Sequence, residues 1–144
     1  MNEKIKNFIQ QQTCASFCCI DEEGKPYCFS CFYALNPEEV ILYFKSSADS
    51  HHSGLLKKTP IVAGTILADK FNLFQIKGIQ FEGFVLPDDD LLVRQASAYY
   101  YPKHKMAIAI IGEIWTVRID KIKFTDNSLG FGKKLIWERK ASIV

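Results

Sequence analysis

Two short stretches of this chain gather residue types that bind anions. Ser46, Ser47 and Ser50 surround His51 and His52 just after an apolar run, and Gly130-Phe131-Gly132 precedes Lys133 and Lys134. Hydroxyls, imidazoles and the free N–H groups of a helix start all donate hydrogen bonds to a phosphate. Glycines let a backbone approach a ligand closely, and lysines add charge beside it. The first stretch reads equally as a solvated helix start. The second has neither the G-x-x-x-x-G-K-[ST] spacing of a P-loop nor G-x-G-x-x-G at a strand-to-helix turn. On its residues alone it reads as a glycine-containing hairpin with solvated lysines.

Other reactive residues give weaker signals. Five cysteines, Cys14, Cys18, Cys19, Cys28 and Cys31, share one short region. An odd number without a secretory context reads as reduced thiols. Cys28-x-x-Cys31 has no second ligand pair for zinc. It lies in a strand pattern, so its two side chains face opposite ways, and it reads as small buried thiols. Cys19 and Cys28 are the pair that could meet across the first hairpin. Adjacent His51 and His52 do not share a helix face, so no metal site is expected. Tyr99-Tyr100-Tyr101-Pro102-Lys103-His104 closes a helix, and Tyr101, Lys103 and His104 are candidates for the rim of a substrate pocket. There is no G-x-S-x-G and no paired-carboxylate site, so no catalytic acid, base or nucleophile is named.

Composition narrows the partners. The chain has 144 residues, 48% of them hydrophobic, which suits one globular domain over 1–144. A net charge of +2 argues against nucleic acid as a partner. From Lys121 onward six residues are basic and two acidic, so any anion site would draw on this end. No apolar run is long enough to span a membrane, and MNEKIKNFIQQQ lacks the core of a signal peptide. A cytoplasmic protein without membrane contact is expected.

The elements that must position these residues follow from periodicity. Ile5, Phe8 and Ile9 share one face of a helix over 2–12. Strands are expected at 14–21 and 26–35 around the turn Glu22–Lys25, then at 40–46 after Asn36-Pro37-Glu38-Glu39. A short helix over 49–58 is capped by Asp49 or Ser50 and stopped by Pro60. Strands follow at 61–68 and 74–86, with Gly78 and Gly83 marking bulges or tight curvature. Pro87-Asp88-Asp89-Asp90 starts a helix to about Tyr99, and strands at 113–124 and 134–138 complete the chain. The pattern is mainly β (α+β), a six- to seven-stranded antiparallel barrel with short flanking helices.

With these pieces in order, the chain resembles the pyridoxamine-phosphate-oxidase-like FMN-binding split barrels, and within them the YhbP-like branch. The narrower likeness rests on Gly78-Ile79-Gln80-Phe81-Glu82-Gly83 and on the run from Ile122 to Trp137, IKFTDNSLGFGKKLIW. The resemblance implies a homodimer with an FMN site between subunits. It assigns Ser30, Cys31, Phe32 and Tyr33 to the strand along the flavin ring, and Lys45 and Ser46 to the end of the third strand. Ser50, His51 and His52 stand where the family has Ser-Arg-Lys on the phosphate. This is a departure, because a histidine is only partly charged near neutral pH. Gln80 matches a glutamine that reaches the cofactor. Thr125 stands for a tryptophan of the oxidases and Lys134 for an arginine, which argues against pyridoxamine phosphate as the substrate.

The expected function is flavin hydride or electron transfer on an unknown small molecule. The alternative is a non-catalytic flavin- or haem-binding protein of the same fold. A nucleic-acid-binding barrel is the weakest reading.

Overall fold

The first hairpin sets the register of everything that follows. The computed structural model describes residues 1–130 and 132–142. In it β1 (Cys14–Ile20) and β2 (Pro26–Asn36) pair antiparallel, Cys18 opposite Cys28 and Cys14 opposite Phe32. Asp21 Oδ1 accepts from the N–H groups of Glu23 and Lys25, and Gly24 supplies the positive φ of 79° that closes the turn.

β3 (Ile41–Ser46), β4 (Ile61–Leu67), β5 (Lys77–Val85), β6 (Glu113–Asp126) and β7 (Lys134–Glu138) extend the sheet in the order β3-β2-β1-β4-β5-β6-β7. A further pairing of β3 with β6 closes the first six strands into a barrel, and β7 lies outside it on β6. Closure removes the open edges that a sheet of this size would otherwise expose. The register slips between Glu82 and Gly83, where a Cβ at Gly83 would come within 2.5 Å of the Arg118 carbonyl. Gly83 is thus the anticipated bulge. At Gly64 a Cβ would strike both the Phe81 ring and the Ser16 carbonyl, so the barrel wall has no room there.

Alternate residues of each strand fill the barrel. Phe17 meets Phe44 at 4.8 Å and Phe81 at 5.6 Å between ring centroids. α1 (Glu3–Gln11), capped by the Asn2 side chain, adds Ile5, Phe8 and Ile9 to the same core. A second cluster lies outside the wall, where Ala96 and Tyr100 of α3 (Ala96–Lys103) cover Ala34, Ile41 and Tyr43. α2 (His51–Lys58) is capped by Ser50, as one of the two anticipated residues. Among the described residues no helix is long and apolar enough to cross a membrane.

Two expectations are corrected. The helix anticipated from Pro87 starts only at Ala96, after a single 3-10 turn at Val93–Gln95. Asp90 spends its carboxylate on the N–H of Leu92, which makes a local turn rather than a helix cap. The thiols are also placed differently. Cys19 is buried, but Cys28 and Cys14 are exposed, and Cys18, not Cys19, faces Cys28. The loop spans Glu22–Gly24, one residue shorter than the 22–25 anticipated, which shifts the pairing by one position.

Candidate functional site

A dense polar cluster sits where β3 runs into α2. The loop is short, so Ser46 at the strand end and Ser50 at the helix cap meet His52 in the first turn of α2. His52 Nε2 lies 2.6 Å from Ser46 Oγ and 3.1 Å from Ser50 Oγ. Ser50 gives its proton to the Ser47 carbonyl at 2.9 Å and caps the N–H of Ser53. Ser46 and His52 share a hydrogen bond whose direction follows the tautomer of the ring. Burial, and then the neighbouring His51, push the His52 pKa down, which favours the neutral ring. The ring lies flat on Phe29, 3.8 Å between centroids and 6° from parallel. His51 stands outside, edge-on to Tyr27 at 4.8 Å. Ser53, fully buried beneath the cap, donates to the Ser47 carbonyl at 2.8 Å.

Chemically, this is a set of hydrogen-bond donors without a fixed positive charge. The hydroxyls and the N–H groups of the first turn of α2 suit a phosphate. The imidazole would gain basicity beside one. Lys45, the nearest lysine in sequence, is already engaged: its Nζ donates to Tyr101 Oη at 3.0 Å and to the Ala107 carbonyl at 2.8 Å.

The rim candidates gather elsewhere, at the end of α3. His104 Nε2 donates to the Tyr33 carbonyl at 2.6 Å. Lys103 donates to the Gln12 carbonyl and lies 4.4 Å above the Tyr33 ring. Burial lowers the Lys103 pKa to about 8, against the opposing pull of Asp69. Tyr33 is itself buried and donates to the Ile9 carbonyl at 2.6 Å. Asp69 receives the backbone N–H of Thr13 at 2.9 Å and donates its own N–H to Gln12 Oε1 at 2.8 Å. These residues tie α1, β2 and α3 together through backbone carbonyls.

The remaining predicted residues are spread along the barrel wall. Ser30 and Phe32 face outward, and Ser30 Oγ lies 3.2 Å from Ser16 Oγ; Cys31 is half-buried behind them. Burial pushes the Cys31 thiol up to about 11, so it stays protonated. Gln80 pairs with Lys123, and Thr125 pairs with both Gly78 and Lys134. Ser46 pairs with Glu113, at the other end of β6. Gln80 lies opposite Thr65, Thr65 opposite Ser16 and Ser16 opposite Ser30, and among the described residues Gln80, Thr125 and Lys134 make no hydrogen bond to the serine–histidine cluster. Phe131, in the glycine–lysine run, lies outside the described residues.

Sequence reading missed Phe29 and Ser53. Ser53 follows the cap by three residues, which is a local signal. The stacking of Phe29 on His52 joins two elements distant in sequence and has no local signal. Among the described residues no three His, Cys, Asp or Glu side chains gather as a metal site.

No family profile matches the chain. Among solved structures, it superposes on a haem-binding protein from Mycobacterium smegmatis with a TM-score of 0.79 and 15% identity, covering 94% of this chain and 57% of that one. An FAD-binding protein from Mesorhizobium loti gives 0.68 and 14%, covering 88% and 95%. At such identities the likeness establishes the split-barrel fold. In sequence, the chain is 34% identical over 135 residues to a UPF0306 protein of Photorhabdus laumondii, covering 94% of each. It is 32% identical over 140 residues to YhbP of Escherichia coli, covering 95% of this chain and 92% of that one. Full-length similarity of this degree, on a barrel shared with flavin- and haem-binding proteins, means that the chain belongs to the UPF0306 (YhbP) family.

Proposed function

We propose that this protein binds FMN as a homodimer and transfers hydride or electrons between the flavin and a small molecule. The observation that carries the reading is the convergence of Ser46, Ser50 and His52 on the first turn of α2. In this reading those donors hold the phosphate, and Ser30 to Tyr33 run beside the ring. Bound there, the flavin would supply the redox chemistry, and the protein the orientation and the hydrogen bonds. The UPF0306 relatives carry no stated activity in their names.

In this reading two copies share each site. Gln80, Thr125 and Lys134 of a second copy would complete each site. The bare outer wall of β1, β2 and β4 suits such a contact, since Ser16, Ser30, Ala63 and Thr65 are small and exposed while Phe32 and Leu67 are 58% and 60% exposed. Histidines in place of Arg and Lys predict weak binding. The test is a titration of the purified protein with FMN, followed by flavin fluorescence and by sedimentation. Saturable binding to a dimer is expected; no binding sinks the reading.

A haem-binding reading has one observation in its favour. His51 makes no side-chain hydrogen bond among the described residues, whereas His52 and His104 are engaged. Relatives in fold include a haem-binding protein and the haem storage protein HutZ of Vibrio cholerae. A Soret band that appears on haem titration and vanishes in His51→Ala would favour it over flavin.

A further inference from the structure

We propose that Cys18 and Cys28 form a dithiol on the outer wall of the barrel that a small-molecule disulfide, such as oxidised glutathione, closes reversibly to a disulfide. The two residues face each other across the first hairpin, in the register that pairs β1 with β2. The other three cysteines have no cysteine opposite them. Cys14 lies opposite Phe32, Cys19 opposite Tyr27 and Cys31 opposite Ala15.

The backbone hydrogen bonds of the hairpin fix the kind of pair. Facing residues of an antiparallel ladder alternate between pairs that exchange backbone hydrogen bonds and pairs that do not, and side chains come closer in the second kind. At one end Tyr33 donates its N–H to the Thr13 carbonyl, and at the other Asp21 donates to the Lys25 carbonyl. Counting alternate residues from either end, Cys18 and Cys28 form a pair without such bonds. The Cα atoms of pairs of this kind lie about 4.5 Å apart. That is a separation a disulfide can span. Cys18 alternates with buried Phe17 and Cys19, so it points away from the core, and Cys28 is exposed on the same wall. Closure needs side-chain rotation and no change of register.

Exposure sets the order of events. Burial, and then the neighbouring Cys28 thiol, raise the pKa of half-buried Cys18 and hold it protonated, so the exposed Cys28 reacts first. As a thiolate, Cys28 attacks one sulfur of oxidised glutathione. The glutathione S–S bond breaks, and one glutathione leaves and takes up a proton. Cys18 then gives up its proton and attacks the Cys28 sulfur, which expels the second glutathione. The two protein thiols lose two electrons and two protons, and one glutathione disulfide becomes two thiols. Exposed disulfides are the labile ones, so excess reduced glutathione reopens the bond. The dithiol does not depend on whether FMN binds.

The test treats the reduced full chain with oxidised glutathione, then unfolds it, alkylates it and reads its mass. The chain should lose two hydrogens. After cleavage at Glu22 or Glu23, the peptides carrying Cys18 and Cys28 should stay joined until reduced, with fragmentation placing the link at Cys18. Cys14→Ser should change nothing in this link. Cys18→Ser should stop at a glutathione adduct on Cys28, which the wild type should not accumulate, and circular dichroism checks the fold. FMN titration is read separately by fluorescence, so failure of the flavin reading leaves the dithiol standing. Unlinked peptides, a link through Cys14, Cys19 or Cys31, a link between chains, or a bond that reduced glutathione does not reopen overturns the proposal.

Discussion

The two ends of β6 differ in how much of a site they hold. Near Glu113, where β6 meets the end of β3, Ser46, Ser50, Ser53 and His52 form a closed network with partners for nearly every polar atom. Near Thr125, Gln80, Thr125 and Lys134 make no side-chain hydrogen bonds among the described residues, and Gln80 and Lys134 stand exposed. A network that is internally satisfied holds its shape without a ligand. Isolated exposed groups need one, or a neighbouring molecule, to have a defined role. The difference teaches that the first end is held in place by its own hydrogen bonds, whereas the second would gain a defined role only in the proposed dimer.

The largest expected effect comes from separating the copies of the proposed dimer. Thr65→Arg places a charge on the small, exposed outer wall of β4. It should yield a monomer by sedimentation and abolish FMN binding, with the barrel intact by circular dichroism. A sharper version mixes two chains. One carries Ser46→Ala and His52→Ala, the other Gln80→Ala and Lys134→Ala. Each homodimer should fail, and the heterodimer should keep one intact site of two. Failure of the heterodimer would break the comparison, because both ends would then not serve one site.

Next in size is the contrast between Ser50→Ala and Gln80→Ala. Ser50 caps α2 and joins the network, so its loss should cost about 1 kcal/mol in urea unfolding. It should also weaken FMN about 10-fold, as for a hydrogen bond to a charged group. Gln80 is exposed, so its loss should change stability by less than about 0.5 kcal/mol. FMN binding should still weaken. If Gln80→Ala leaves FMN untouched, the distal group is not part of the site.

The sequence made the barrel legible because its signals are local. Alternation placed β7 at its observed bounds, Lys134–Glu138, and Ser50 announced α2. The helix near residue 96 was misjudged because Asp88 to Asp90 look like a cap while Asp90 bonds within its own turn. For the site, Ser46, Ser50 and His52 were legible as a short polar run. Lys103 and His104 were legible as polar residues but not as clamps, because their acceptors, the carbonyls of Gln12 and Tyr33, are distant in sequence. Backbone carbonyls have no sequence signature. Trp115 Nε1 and Thr116 Oγ1 are buried without a hydrogen-bond partner, and that too is a property of the packing with no local signal.

The smallest effect tests whether Lys103 is a clamp or a member of the site. Its pKa is lowered by burial to about 8, from an ordinary 10.5. Between those values the folded protein has shed a proton that the unfolded chain still binds. The Lys103 contribution to stability therefore grows as pH rises from about 8 toward 10.5, and is lost as pH falls back through 8. Tyr33 and Cys31, whose pKa values burial raises, act in the opposite direction at the alkaline end. The readout is accordingly the difference between wild type and Lys103→Met, measured by urea unfolding at pH 7.5 and pH 9.5. Wild type should gain on the variant across that interval, and FMN affinity should be equal in both. A flat difference would mean that the ammonium is not desolvated. A loss of FMN affinity in Lys103→Met, with stability unchanged, would move Lys103 from the clamp on Gln12 and Tyr33 to the flavin site, and would add a cation to a cluster that has none.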